Sequence, residues 1–62
     1  MEIDTKRIRL EALMTQQQFA DALQVTTITV SSWERGLRHP SLTQLSAISK
    51  FCKEHKIKFK EQ

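Results

Sequence analysis

The stretch 25-VTTITVSSWERG-36 decides how this chain folds, because its two halves favour different secondary structures. Val25 to Val30 are β-branched, with Ile28 and Val30 alternating with Thr27 and Thr29, a composition that suits a strand. Trp33-Glu34-Arg35-Gly36 instead reads as a helix terminus closed by a left-handed glycine. As a strand, the segment puts Thr26, Ile28, Val30 and Ser32 on one face and Val25, Thr27, Thr29, Ser31 and Trp33 on the other, so neither face is cleanly apolar. As a helix over 27 to 35, it gains Thr26 as N-cap and a face shared by Val30 and Trp33, which Val25 joins from just before the cap. Only the helix accounts for both ends. Each β-branched residue costs it several tenths of a kcal/mol relative to alanine, so packing of Val30 and Trp33 has to hold it.

Upstream, Thr15-Gln16-Gln17-Gln18 forms a capping box, and Phe19, Ala20 and Leu23 supply an apolar stripe before Gln24-Val25 turns the chain. Before that, Asp4 or Thr5 caps a first helix running to about Leu13, with Ile8, Ala12 and Leu13 on one side. Downstream, Leu37 to His39 make a loop and Pro40-Ser41 opens another helix. Ser41 caps it, Gln44 completes a second capping box, and Leu45, Ile48 and Cys52 or Phe51 continue the stripe to an end near Glu54 to Lys56. Lys56-Ile57-Lys58-Phe59-Lys60 alternates with period two, which predicts an extended tail with Ile57 and Phe59 turned towards the domain or a second chain.

The chain has 62 residues, room for one domain spanning 1–62, with a core of about 5–55 and a tail of 56–62. A fold of this size buries only about 60% of the surface its unfolded chain exposes, so modest stability is expected. One glycine, one proline and no internal repeat describe an ordinary soluble domain. The N-terminus Met1-Glu2-Ile3-Asp4 lacks the layout of a secretory signal and no apolar run is long enough for a membrane, so a cytoplasmic location is expected. The single cysteine, Cys52, agrees with a reducing compartment.

Net charge is +3, weakly suggestive of a polyanionic partner, and its distribution says more. Lys6, Arg7 and Arg9 lie near the start, Arg35 and Arg38 flank Gly36, and Lys50, Lys53, Lys56, Lys58 and Lys60 crowd the C-terminal end, with no basic residue from 11 to 34. The lysine run is either a solvated helix end and tail or an arm along a phosphate backbone. Cys52 and His55, with His39, fall short of the four ligands a zinc site wants, and no glycine-rich phosphate loop or nucleophile with a positioned base is present. No metal, no cofactor, no small-molecule substrate and no enzymatic activity are expected.

A capped short helix, a tight turn, a second capped helix ending Trp-Glu-Arg-Gly and a Pro-Ser start to the next resemble the helix-turn-helix domain of the Cro and lambda-type repressor (Xre) family. Thr15-Gln16, Phe19-Ala20, Leu23, Val25, Val30, Trp33-Glu34-Arg35-Gly36 and Pro40-Ser41 carry the resemblance, and with Arg9 it extends over roughly residues 5 to 52. It implies an all-α, compact four- to five-helix bundle, lambda-repressor-like; the family commonly adds a fifth helix, and the extended lysine-rich tail of this chain departs from that. The family often has glycine in the turn between its two central helices; here Gln24 must accept an unusual backbone angle, or the turn must shift.

The resemblance further implies that helix 27–35 is a recognition helix for the major groove of double-stranded DNA, with Thr27, Ile28, Ser31 and Ser32 reading bases. An outward Ile28 suits thymine methyl groups, whereas the absence of Arg, Asn and Gln from that face removes the strong bidentate base contacts. Gln16 would contact phosphate and steady Thr27; Thr26, Thr29, Arg35, Arg38 and the Gly36 amide are the other phosphate candidates. Arg9 and Glu34 match a structural ion pair, and Trp33 a core position. The reading that follows is a sequence-specific regulator of transcription in the cytoplasm, on the nucleoid, acting as a homodimer. It would repress by covering a promoter, since the chain shows no spare domain for touching polymerase. The rival is a protein-interaction module of the same fold, antitoxin-like or anti-repressor, whose Ile28 face docks on a protein.

Overall fold

The computed structural model describes residues 3–59. Four helices form among them: α1 (Thr5–Glu11), α2 (Gln16–Leu23), α3 (Thr27–Glu34) and α4 (Leu42–Glu54). Each starts on a side-chain cap. Asp4 accepts from the Arg7 amide and Thr26 from the Thr29 amide, while Thr15 with Gln18 and Ser41 with Gln44 form reciprocal capping boxes.

All four helices also end the same way. The residue after each C-terminal turn is left-handed (Leu13 φ 58°, Gln24 φ 59°, Gly36 φ 73°, Lys56 φ 58°), and paired backbone bonds close the turn behind it. In α2, for example, Val25 N–H donates to the Ala20 carbonyl at 2.9 Å and Gln24 N–H to the Asp21 carbonyl at 3.2 Å. Gln24 thus accepts the unusual backbone angle, and the turn does not shift. The first helix is shorter than its pattern predicts: it stops at Glu11, and Leu13, expected beside Ile8, is 90% exposed. The reason is that Leu13, five residues after Ile8 and so about 140° round from it, would leave the inner face even in a continued helix, and it instead forms the left-handed stop.

Every helix contributes to one core: Ile8 from α1, Phe19, Ala20 and Leu23 from α2, Val30 and Trp33 from α3, and Ile48, Phe51 and Cys52 from α4. Phe19 and Phe51 meet edge to face with ring centroids 5.2 Å apart. This core answers the strand-like composition of α3. Its residues Thr27, Ile28, Thr29 and Val30 together cost a helix roughly 2 kcal/mol relative to alanine. Full burial of Val30 returns about that much, and the buried Trp33 adds to it.

After α4 the chain turns back on its own domain. Ile57 and Phe59 are half-buried against the core, and the Arg7 guanidinium donates to the Lys58 carbonyl at 3.0 Å. The extended tail therefore docks beside α1 as far as Phe59; Lys60 and the rest of the predicted tail lie outside the described residues.

Candidate nucleic-acid interface

The first turn of α3 stands where α2 ends and the Gln24 turn releases the chain. Its outermost side chain is Ile28, 77% exposed on the side away from Val30 and Trp33. Thr27 and Ser31, one turn apart, are half-buried beside it. Ser32 departs from expectation. Helical spacing sets it next to Ile28, facing out, yet it is only 8% exposed. Its backbone carbonyl also takes part in the turn that closes α3, accepting from the Leu37 and Arg38 amides. Ser32 is therefore covered by its own subunit and is removed from the base-reading set.

Hydrogen bonding at the start of α2 also differs from the expected pattern. Gln16 does not reach Thr27: its amide Nε2 donates to Glu34 Oε1 at 3.1 Å. The neighbour takes that place. Thr27 Oγ1 donates to Gln17 Oε1 at 2.7 Å, and Gln17 Nε2 donates to Asp21 Oδ1 at 2.9 Å. Gln17 and Asp21 were not singled out by sequence reasoning. Their i, i+4 spacing on α2 is a recognised glutamine–aspartate pairing, but the link to Thr27 exists only once the turn brings the two helix starts together.

Beneath this surface Glu34 organises the site. Arg9 Nε donates to Glu34 Oε2 at 2.6 Å and Arg9 Nη2 to Glu34 Oε1 at 3.1 Å, a two-pronged pair, while Arg9 Nη1 donates to the Met14 carbonyl at 2.9 Å. Burial by itself would raise the Glu34 carboxyl; the Arg9 and Gln16 hydrogen bonds, with the charges of Arg9 and Lys6, hold it below the usual carboxylate range. The same bond to Glu34 raises Arg9. Three helix ends are thereby locked together: the end of α3, the start of α2 and the end of α1.

Potential phosphate contacts surround the first turn. Thr26 Oγ1 accepts from the Thr29 amide at 3.1 Å and lies 2.9 Å from Thr29 Oγ1, so one hydroxyl proton of the pair is left to donate outward. The N–H groups of Gln16 and Gln17 open α2 at its positive end. Arg35, Gly36, Arg38 and His39 are exposed just past α3. Cys52 sits in the core, where burial pushes its thiol up, whereas His39 and His55 face solvent, so the three do not come together.

Comparison with known proteins agrees with this geometry. A family model described as helix-turn-helix matches residues 6–56. Among curated proteins, the chain is 38% identical over 53 residues to the HTH-type transcriptional activator BcrR of Enterococcus faecalis. That alignment covers 82% of the chain and 26% of the relative, so the chain spans about a quarter of the relative's length. No solved structure matches.

Proposed function

Because the chain belongs to the helix-turn-helix family of Cro and lambda-type repressors, we propose that it is a sequence-specific, DNA-binding regulator of transcription that lays α3 in the major groove. The observation that carries this reading is the outward first turn of α3, where Ile28 is 77% exposed between the half-open Thr27 and Ser31. An isoleucine there meets thymine methyl groups, and the two hydroxyls meet polar base edges. Phosphates on either side are held by the N-terminal amides at Gln16, by the Thr26–Thr29 pair, and by Arg35, the Gly36 amide and Arg38.

The face lacks bidentate base readers, so one subunit discriminates weakly. A dimer that sets two copies of α3 about one helical turn, roughly 34 Å, apart supplies the missing affinity. Acting on the nucleoid, such a dimer represses wherever its operator overlaps a promoter, since occupancy alone suffices. The matched relative is named as an activator, so operator position is the variable to map.

The exposed Ile28 also suits docking on a protein, the second reading. A salt titration with random and selected duplexes separates the two. Affinity that falls steeply with salt and exceeds random-sequence binding at least a thousandfold, as is typical of specific binders, supports the regulator. Absence of DNA binding at low salt leaves the interaction module. Under the first reading Ile28→Ala weakens the preference for thymine at one position of the selected site and leaves the fold intact.

A further inference from the structure

We propose that Gln17 and Asp21 fix the direction of the Thr27 hydroxyl, so that Thr27 selects adenine or cytosine over guanine or thymine at one position of the operator half-site. The inference rests on the DNA-binding reading above and adds to it which base edge is read and what decides the choice.

A hydroxyl by itself discriminates poorly. It has one proton and two lone pairs, rotates freely, and serves donor and acceptor base edges alike. Thr27 is not free in this way. The Gln17 amide stands between two groups, 2.9 Å from Asp21 Oδ1 and 2.7 Å from Thr27 Oγ1. A carboxylate oxygen only accepts, so the amide must turn its NH₂ towards Asp21. Its carbonyl oxygen then faces Thr27, and that oxygen too only accepts. The Thr27 proton is thereby committed to Gln17.

What remains for the groove is a pair of lone pairs. Adenine N6 and cytosine N4 carry hydrogens that can be donated to them; guanine O6 and thymine O4 present further lone pairs with no proton between. Thr27 is the first residue of α3, in the part of a recognition helix that meets base edges, and it is half-buried, so it enters with one preset orientation. The chain of donors runs from Thr27 to Gln17 to a charged acceptor, and each bond polarises the next. Gln17 and Asp21 touch no base in this scheme; they are positioning residues.

The test is selection of bound duplexes from a random pool by wild-type protein and by the Thr27→Val and Asp21→Lys variants. Asp21 is exposed, and a helical circular dichroism spectrum checks that each variant is folded. Wild-type protein is expected to favour adenine or cytosine about fivefold at one position, the worth of a single net hydrogen bond. Thr27→Val abolishes that preference while other positions keep theirs. In Asp21→Lys the ammonium donates to the amide oxygen, the amide turns over, and Nε2 now donates to Thr27. The Thr27 proton swings to the groove and the preference moves to guanine or thymine. The added charge raises affinity for every sequence, so the base ratio at that position is the reading. A selected site whose ratio is the same in Asp21→Lys as in wild type overturns the relay while leaving DNA binding standing. Failure of wild-type protein to retain any duplex at low salt overturns the regulatory reading and the preference together.

Discussion

Glu34 ties three helices together, because Arg9 and Gln16 both donate to it and its side chain is only 7% exposed. Held below the usual carboxylate range when folded, its carboxyl stabilises the native state fully at pH values above that range. The contribution is lost as pH falls through the folded value, since the unfolded chain takes up the proton first. The urea midpoint is therefore expected to drop on acidification below about pH 4 to 5, and Glu34→Gln should make that drop shallower. An unchanged pH slope in Glu34→Gln would remove Glu34 from the account. Arg9→Ala leaves the part-buried carboxylate with Gln16 as its remaining side-chain donor, at a cost of about 2 to 3 kcal/mol at neutral pH. In a chain of 62 residues that is a large share of the stability available, about 3 to 9 kcal/mol. The pair lies 25 residues apart in sequence, so spacing gives no hint of it; only the family resemblance pointed there.

At the level of elements, the helix stops show how local strain is met by packing. A left-handed backbone costs a non-glycine residue roughly 1 to 2 kcal/mol, yet Leu13, Gln24 and Lys56 all adopt it. Each is followed by an apolar residue packed against the core: Met14, Val25 and Ile57. The stop that has glycine is followed by Leu37, which is 67% exposed. Anchoring of the next side chain thus offsets the strain where glycine does not relieve it. Leu13→Gly, Gln24→Gly and Lys56→Gly are each expected to stabilise the fold by about 0.5 to 1 kcal/mol in urea denaturation, the relief of strain less the entropy of glycine. Gly36→Ala should destabilise by about 1 kcal/mol. A Cβ there meets nothing within 4 Å, so the cost is one of backbone angle alone. A neutral Gly36→Ala, or a destabilising Gln24→Gly, would contradict this. Periodicity and capping boxes located all four helices, but the pattern ran α1 on to Leu13. Apolar spacing cannot register a stop made by a leucine.

Across the whole molecule, charge and shape divide the work. The chain has no basic residue from 11 to 34, so α2 and the base-facing turn of α3 offer phosphates only amides and hydroxyls, and the next cations along the chain are Arg35 and Arg38. If these two are phosphate contacts, Arg35→Ala and Arg38→Ala each lower the slope of log affinity against log salt by about 1, and weaken binding to all sequences alike. A variant that changes sequence preference instead would place its arginine at a base. The lysines of the C-terminal end follow a different course. The tail docks beside α1 through Ile57, Phe59 and the Arg7–Lys58 bond, so Lys53, Lys56 and Lys58 sit exposed on a folded surface.

The amino-acid sequence by itself determined the features that close within a few residues: the side-chain caps at Thr15, Thr26 and Ser41 and the inward stripe of Val30 and Trp33. Such features depend on bonds between near neighbours and on the helical period, both legible in one dimension. Tertiary structure alone decided that Ser32 is covered, that Gln17 rather than Gln16 holds Thr27, and that the tail returns to α1. The Gln17–Thr27 and Arg7–Lys58 bonds join segments distant in the chain, and which neighbour a side chain finds there is set by how the helices pack.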